Sequence, residues 1–493
     1  MKLCLLGHDF RYELEKLIRI FFPFEKIEFS EQIPSSDESR TVTAQLSQKD
    51  GFSVCNVYLH LGEYGDSASG KFAGTDEKTA ELELAILLYN LLVKACKYRP
   101  PWGILTGVRP AKLYAKLCRD EGKEACESYF SNRLSVSDEK IALCRETFQK
   151  EEKIIALSKP ESFSLYLSIP FCPSRCSYCS FVSHSIADAK RLIPDYIELL
   201  CRELRYTGDI VRQRGLRLET VYIGGGTPTS VTAEQLDSVM KTVRESFDFS
   251  HLREYTVEAG RPDTVTPEKL KVILQNGATR ISINPQTMSD EILAKIGRKH
   301  TAEQTVKSFL SAREIGFDNI NMDLIAGLPE DSPENFEHTL QKVLALNPES
   351  VTVHSLSMKK ASTLTVNGEL PAFSDGENAS LMVRTAHDLL QQNGIYPYYM
   401  YRQSKTVGNL ENVGYAKIGK ECLYNVFIMD ETHSILACGA SAVTKLREPN
   451  GSYIERIFNY KYPYEYIARF DEIKKRKDGI LLFYDRCFGK NQR

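Results

Sequence analysis

Between Ser162 and Lys360 the chain repeats one pattern six times, and this constrains the fold more than any other feature of its 493 residues. The runs SLYLSIP, ETVYIGG, REYTVEA, TRISINP, NINMDLIAG and SVTVHSL are short and rich in β-branched residues. Each is followed by a loop and then by a segment whose apolar residues recur with helical spacing. Regular alternation of this kind predicts parallel strands joined by covering helices. Six units fit a partial or complete β/α barrel, with a doubly wound open sheet as the alternative. Either architecture places ligands at the C-terminal ends of the strands. The chemically distinctive residues fall there: three cysteines follow the first strand, GGGTP ends the second, Glu258 ends the third, and Asp323 lies in the fifth.

The flanks read differently. Residues 1–158 open with the strand-like runs KLCLLG, KIEFSE, RTVTAQL and FSVCNVYLHL, turn helical, break at Pro100 and Pro101, and end in two charged helices. This predicts an N-terminal α/β accessory domain. Residues 159–360 form the core, and residues 361–493 predict a C-terminal α+β region. That region has a helix near 377–393, strand-like runs around LYNVFIMD and HSILACG, and a polar, basic tail. The single tryptophan, Trp102, reads as a core anchor, with a packing hinge or partner site as the alternatives.

Composition excludes several classes. A net charge of -2 provides no global field to draw in nucleic acid or a membrane surface. The 13 cysteines are odd in number and mostly scattered, which argues against a disulfide framework and for a reducing compartment. The apolar run at the N-terminus is too short for a signal peptide. The most apolar helix, about Thr79 to Lys97, carries Glu81, Glu83, Asn90 and Lys94, too many polar groups for a membrane span. A cytoplasmic protein is expected.

The stretch YLSIPFCPSRCSYCSF holds Cys172, Cys176 and Cys179 in a Cys-x3-Cys-x2-Cys spacing. Thiolates are soft ligands suited to iron–sulfur clusters and zinc. A closed structural zinc site takes four ligands, as does a purely electron-transferring cubane. Three thiolates on a cubane leave one iron open to a substrate. The competing readings are a zinc knuckle completed by His184, or three unrelated buried thiols. The glycines Gly224, Gly225 and Gly226 let the backbone approach a ligand, and a structural turn would explain them equally well. They match neither a P-loop nor a dinucleotide fingerprint.

Five patterns occur together and in order: Y-x-x-IPFC-x3-C-x2-C from Tyr166 to Cys179, GGGTPT from Gly224 to Thr229, R-x-S-x-x-x-Q from Arg280 to Gln286, GR-x-H from Gly297 to His300, and DLI-x-GLP from Asp323 to Pro329. The set resembles the radical S-adenosylmethionine (SAM) superfamily. Within it, the chain is similar to the oxygen-independent coproporphyrinogen III dehydrogenases, the HemN group. The N-terminal extension and the segment YYMYRQSKTVGNLENVGYAK resemble the HemZ branch.

The resemblance implies a radical SAM partial (β/α)6 TIM-like barrel, with Cys172, Cys176 and Cys179 holding a four-iron, four-sulfur (4Fe–4S) cluster. It implies that Tyr166 and Tyr178 lie close to SAM on the open iron. It places Gly225, Gly226, Thr227, Glu258, Gln286, Arg298 and Asp323 as SAM contacts, for one SAM or two. Read without it, Glu258 is a solvated loop carboxylate, Arg298 a surface cation, Asp323 a capped strand end and Gln286 a polar loop residue. The stretch GASA at 439–442 resembles a glycine-rich segment near the tetrapyrrole, or is a plain turn.

The implied reaction uses a 5′-deoxyadenosyl radical to convert two propionates of coproporphyrinogen III to vinyls, giving protoporphyrinogen IX for haem biosynthesis. The electron would come from a donor such as flavodoxin or ferredoxin. No substrate-side catalytic residue is assigned. Arg261, Lys359, Lys360, Arg402 and Lys405 are candidate carboxylate anchors, though each reads more readily as a solvated charge. His354 faces the substrate or is a hydrogen-bonded core histidine. Two positions depart from the dehydrogenase pattern: Ser168 stands where those enzymes have histidine, and Phe181 where they have a fourth cysteine. The haem-chaperone branch, HemW, also lacks that cysteine. The alternatives are therefore a haem carrier and a radical SAM enzyme acting on another tetrapyrrole.

Overall fold

A computed structural model describes residues 1–34, 38–179, 184–357, 373–403 and 405–489. Phe181, Lys359 and Lys360 lie outside the described residues. The chain divides into two compact units, Met1–Arg145 with Arg402–Leu410, and Glu146–Tyr401 with Glu411–Arg493.

The first unit is built on a five-stranded sheet. Its strands are β1 (Lys2–Leu6), β2 (Glu28–Ser30), β3 (Arg40–Lys49), β4 (Phe52–Leu61) and β5 (Tyr64–Ala73), in the order β2-β1-β3-β4-β5. Strand β1 runs parallel to β2 and β3, while β3, β4 and β5 form an antiparallel meander. Asp50 and Gly51 turn β3 into β4 with positive φ at both residues, as a tight two-residue hairpin requires. Strand β5, YGDSASGKFA, escapes sequence reading because it has small and polar residues in place of β-branched ones. Its ladder with β4 supplies the order that its own side chains do not. Helix Arg11–Phe21 buries Leu14, Leu17 and Ile18, and helix Glu77–Cys96 buries Leu84, Leu88, Leu91 and Leu92. Trp102 is fully buried, with the Arg402 guanidinium 5.2 Å from its ring centroid.

The second unit carries an eleven-stranded sheet. After two short strands β7 (Phe171–Cys172) and β8 (His184–Ser185), which pair with each other, its members are β6 (Ser162–Ile169), β9 (Arg217–Gly225), β10 (Glu254–Glu258), β11 (Arg280–Ser282), β12 (Ile320–Ala326), β13 (Ser350–Ser355), β14 (Tyr396–Arg402), β15 (Glu411–Ala416), β16 (Ser434–Cys438), β17 (Val443–Arg447) and β18 (Ile454–Phe458). The six repeats became β6, β9, β10, β11, β12 and β13, parallel and adjacent in chain order. Helices Ile193–Arg214, Ala233–Ser246, Pro267–Gln275, Ala302–Ile315 and Pro333–Ala345 connect them. A doubly wound sheet would reverse its strand order partway, and this one does not. Strand β16 adds parallel to β6, and β15 adds antiparallel to β13.

One expectation for the C-terminal region is corrected. LYNVFIMD is a helix, Leu423–Asp430, not a strand. A short apolar run has the same appearance in a buried helix and a buried strand. The helix is decided by a long-range contact: the Glu254 carboxylate at the start of β10 accepts the Leu423 and Tyr424 backbone N–H groups at 2.7 and 3.3 Å. HSILACG is strand β16, as expected. The basic tail is a helix, Phe470–Gly489, that buries Ile473, Ile480, Phe483 and Tyr484. Its Lys477 is also buried, 3.0 Å from the fully buried Glu203. Tyr466, Asn459 and the Gly439 N–H donate to the same carboxylate at 2.6, 2.8 and 2.8 Å. Among the described residues, no helix is long and apolar enough to cross a membrane.

Candidate functional site

Strand β6 stops at Pro170, whose ring cannot donate to the ladder. The chain then forms β7, pairing Phe171 with His184 and Cys172 with Ser185, and the intervening loop carries Cys176 and Cys179. That loop is fastened from two sides. On one, the Gly226 N–H donates to Ile169 O at 2.9 Å and the Thr227 N–H to Phe171 O at 2.8 Å. On the other, the Ser177 N–H donates to Ile296 O at 3.0 Å and Ser174 Oγ to Gly297 O at 3.2 Å. A Cβ at Gly226 would lie 2.7 Å from Phe171 O and 3.0 Å from Cys172 Sγ. The glycine turn therefore exists first to let two backbones approach at the cysteine loop. Thr227 Oγ1 sits 3.4 Å from Cys172 Sγ as a donor.

Two buried guanidinium groups stand behind the loop. Arg261 closes on Asp263 through Nε and Nη2, both at 2.9 Å, and directs Nη1 at Ser174 O and Oγ (3.4 and 3.3 Å) and at Cys176 Sγ (3.8 Å). Arg298 donates to Asn284 O at 2.6 Å, to Gly260 O at 3.3 Å and to Tyr178 Oη at 3.3 Å. Cations beside thiols favour thiolate, the form that binds metal. Burial, aided by the Arg298 charge, pushes His300 down to about 4, so it stays neutral beside Asp263.

Arg261 read as a solvated charge, with a carboxylate anchor as the alternative; its side chain is instead buried and committed to Asp263 and the cysteine loop. Arg402 is corrected likewise: it is buried under Trp102 in the first unit and donates to Leu105 O and Asn409 O. Lys405 belongs to the same unit.

The His184 ring meets those of Tyr462 and Tyr464 in T-shaped contacts, at 6.1 and 6.4 Å between centroids. Among the described residues, no three His, Cys, Asp or Glu side chains converge as one ion would require. Thiolates at the corners of a cubane need no such convergence.

A second cluster lies at the end of β10, midway along β12 and near the end of β13. Glu258 Oε1 accepts the Tyr222 phenol at 2.6 Å. Desolvation pushes Glu258 up to about 7, opposed by the Tyr222 hydrogen bond and reinforced by the Asp323 charge. Asp323 is also desolvated, but His354, with Nε2 3.8 Å away, and the Asn321 amide, at 2.7 Å, hold it below its ordinary range. Two nearby carboxyls are thus driven in opposite directions. Gln286 adopts a left-handed φ of 68°. Its N–H donates to Asp323 O at 2.9 Å and its carbonyl accepts from Ile325 at 3.0 Å, which ties it to β12. Tyr166 stacks with Tyr222 at 6.3 Å.

The cysteine loop thus gathers Cys172, Cys176, Cys179, Tyr178, Gly226, Thr227 and Arg298, while Glu258 and Asp323 meet with Gln286 beside them. GASA packs against the end of β6: a Cβ at Gly439 would lie 2.5 Å from Ser168 O, and the Gly439 N–H donates to Glu203. Sequence reading missed Tyr222 and the loop contacts of Arg261. The signal for Tyr222 was available in the two-residue period of β9, which puts it on the face of Gly224.

A model of the radical SAM superfamily matches residues 166–343. The oxygen-independent coproporphyrinogen-III oxidase-like protein HemZ of Bacillus subtilis is 38% identical over 417 residues, covering 84% of this chain and 83% of that protein. The haem chaperone HemW of the same organism is 34% identical over 267 residues, covering 53% of this chain and 66% of HemW. The structure of Escherichia coli HemN, described as a radical SAM coproporphyrinogen III oxidase, superposes with a TM-score of 0.50 at 23% identity, over 67% of this chain and 74% of that one. The six-unit array is accordingly the partial (β/α)6 barrel of the radical SAM fold, and that superfamily works with a 4Fe–4S cluster and SAM. With more than four-fifths of its length matched to HemZ, the chain belongs to the HemN/HemZ/HemW family of the radical SAM superfamily.

Proposed function

We propose that this chain is an oxygen-independent coproporphyrinogen III dehydrogenase, carrying out oxidative decarboxylation of two propionates to vinyls. One observation carries the reading: the 38% identity over 84% of the chain is to a relative described as coproporphyrinogen-III oxidase-like, whereas the HemW match covers 53%. In this reading Cys172, Cys176 and Cys179 hold the 4Fe–4S cluster. The donor set suits it: three soft thiols, a cradle that a Cβ at Gly226 would fill, and Arg261 beside Cys176. When bound, the cluster and SAM supply reductive cleavage of a carbon–sulfur bond and, through it, hydrogen-atom abstraction. Tyr166, Tyr178, Gly225, Gly226, Thr227, Glu258, Gln286, Arg298 and Asp323 form the SAM pocket, for one SAM or two. Ionised Glu258 and Asp323 act as acceptors there, and the strand ends exclude water. The electron donor is a flavodoxin or ferredoxin, the electron released with each carbon dioxide passes to a one-electron acceptor, and the protein works in the cytoplasm.

Anaerobic incubation of the reconstituted, reduced protein with SAM and coproporphyrinogen III tests the reading. Both 5′-deoxyadenosine and a vinyl product are expected; deoxyadenosine without vinyl product defeats the substrate assignment. A second reading, a haem carrier, is favoured by Ser168. Its side chain is buried against Gly225, where a Cβ would lie 2.9 Å from Ser168 Oγ, and it stands where the dehydrogenases have histidine. Tight haem binding without turnover of coproporphyrinogen would select the carrier.

A further inference from the structure

Three tyrosines from distant parts of the chain stack against one another beside Glu258. Tyr222 from β9 and Tyr424 from helix Leu423–Asp430 lie 4.5 Å apart at 24°. Tyr166 from β6 lies 6.3 Å from Tyr222 and 6.2 Å from Tyr424, at 22° and 17°. Such near-parallel packing fixes a ring in its plane and thereby the direction of its hydroxyl. The Tyr222 hydroxyl is directed at Glu258 Oε1, at 2.6 Å. Gly224 leaves room for the pair, since a Cβ there would meet the Tyr222 ring at 3.0 Å and the Glu258 carboxyl at 3.1 Å. Strand β10 secures both ends of the arrangement: Glu254 at its start binds the N-terminus of the helix carrying Tyr424, and Glu258 closes it.

We infer that Tyr222 is a positioning residue for SAM, its phenol holding the Glu258 carboxylate in the orientation in which it accepts the cofactor's hydroxyl or amino donors. The inference rests on the reading of Glu258 as a SAM contact. An ionised carboxylate offers acceptors only, whereas a protonated one presents a donor to a partner that is itself a donor. The groups facing Glu258 are Asp323, Arg280, His354, Tyr222, Tyr166 and Tyr424. Asp323 works against ionisation, and Arg280 and His354 support it. Tyr222 is the group that donates a hydrogen bond to the carboxylate, and this stabilises the charged form.

The test is SAM affinity of the cluster-reconstituted, unreduced protein by equilibrium dialysis across pH, where no turnover occurs. Wild type should lose affinity as pH falls through a midpoint near 7, the value for Glu258. Glu258→Gln should bind more weakly and lose that midpoint. Tyr222→Phe keeps the ring stack and removes only the donor. Its midpoint should move up by ~1 pH unit, with affinity about fivefold lower at neutral pH and recovering in mild alkali. The midpoint does not depend on the fraction of protein loaded with cluster, so incomplete reconstitution leaves it readable. Weakened Glu258→Gln with an unmoved midpoint in Tyr222→Phe overturns the role of Tyr222 and leaves the pocket assignment standing. Wild-type affinity and pH profile in Glu258→Gln overturn the pocket assignment and the inference with it.

Discussion

Arg261 joins the end of β10 to the cysteine loop, its Nη1 lying 3.8 Å from Cys176 Sγ while the rest of the guanidinium closes on Asp263. The side chain is almost completely enclosed, and its charge is balanced by Asp263 on one side and available to the thiol on the other. Arg261→Ala removes the cation and leaves Asp263 without its partner. Groups that orient metal ligands typically carry 10- to 100-fold in metal affinity. Iron retained after gel filtration against a chelator should fall about tenfold in Arg261→Ala, with the helical circular dichroism of the protein unchanged.

His433 is expected to make stability depend on pH. It bridges Ser158 Oγ and Ser164 Oγ, both at 2.8 Å. Burial, and secondarily the Arg447 charge, pushes it down to about 3 from its ordinary 6.5. The unfolded chain therefore binds a proton below pH 6.5 that the folded chain refuses until near pH 3, and stability falls as pH drops through that window. From pH 7 to pH 5 the loss attributable to this group is about 2 kcal/mol. Urea unfolding of wild type and His433→Asn at the two pH values checks it: the variant should lose less stability on acidification by about that amount.

Lys477 and Glu203 form an enclosed ion pair whose carboxylate is fully hydrogen-bonded. Removing one partner of such a pair costs about 3 kcal/mol or more, whereas replacing both with uncharged groups costs far less. Lys477→Met should lower the apparent Tm by roughly 5 °C. The double variant Glu203→Gln, Lys477→Met should recover part of that loss in the same thermal melt.

What the chain's residue order reveals, and what it conceals, follows from how local each interaction is. The six core strands were legible because β-branched runs and helical periodicity alternate within short windows. The cysteine loop was legible because all three thiols fall between Cys172 and Cys179. Helix Leu423–Asp430 was not, because the group that caps it, Glu254, lies 169 residues away from Leu423. Arg261 read as a surface cation for the same reason: its partner Cys176 is 85 residues earlier. Tyr222 was overlooked beside the glycines that follow it, since only the folded sheet brings Glu258 and Tyr424 to its ring.

The composition of the centre at Cys172, Cys176 and Cys179 decides whether this chain carries a 4Fe–4S cluster there. Iron, acid-labile sulfide and zinc should be measured per chain after anaerobic purification and reconstitution, for wild type and for Cys→Ala at each position. About four iron and four sulfide are expected in wild type, and loss of both in every single variant. Stoichiometric zinc without labile sulfide, or iron and sulfide that survive the cysteine substitutions, would contradict the cluster assignment.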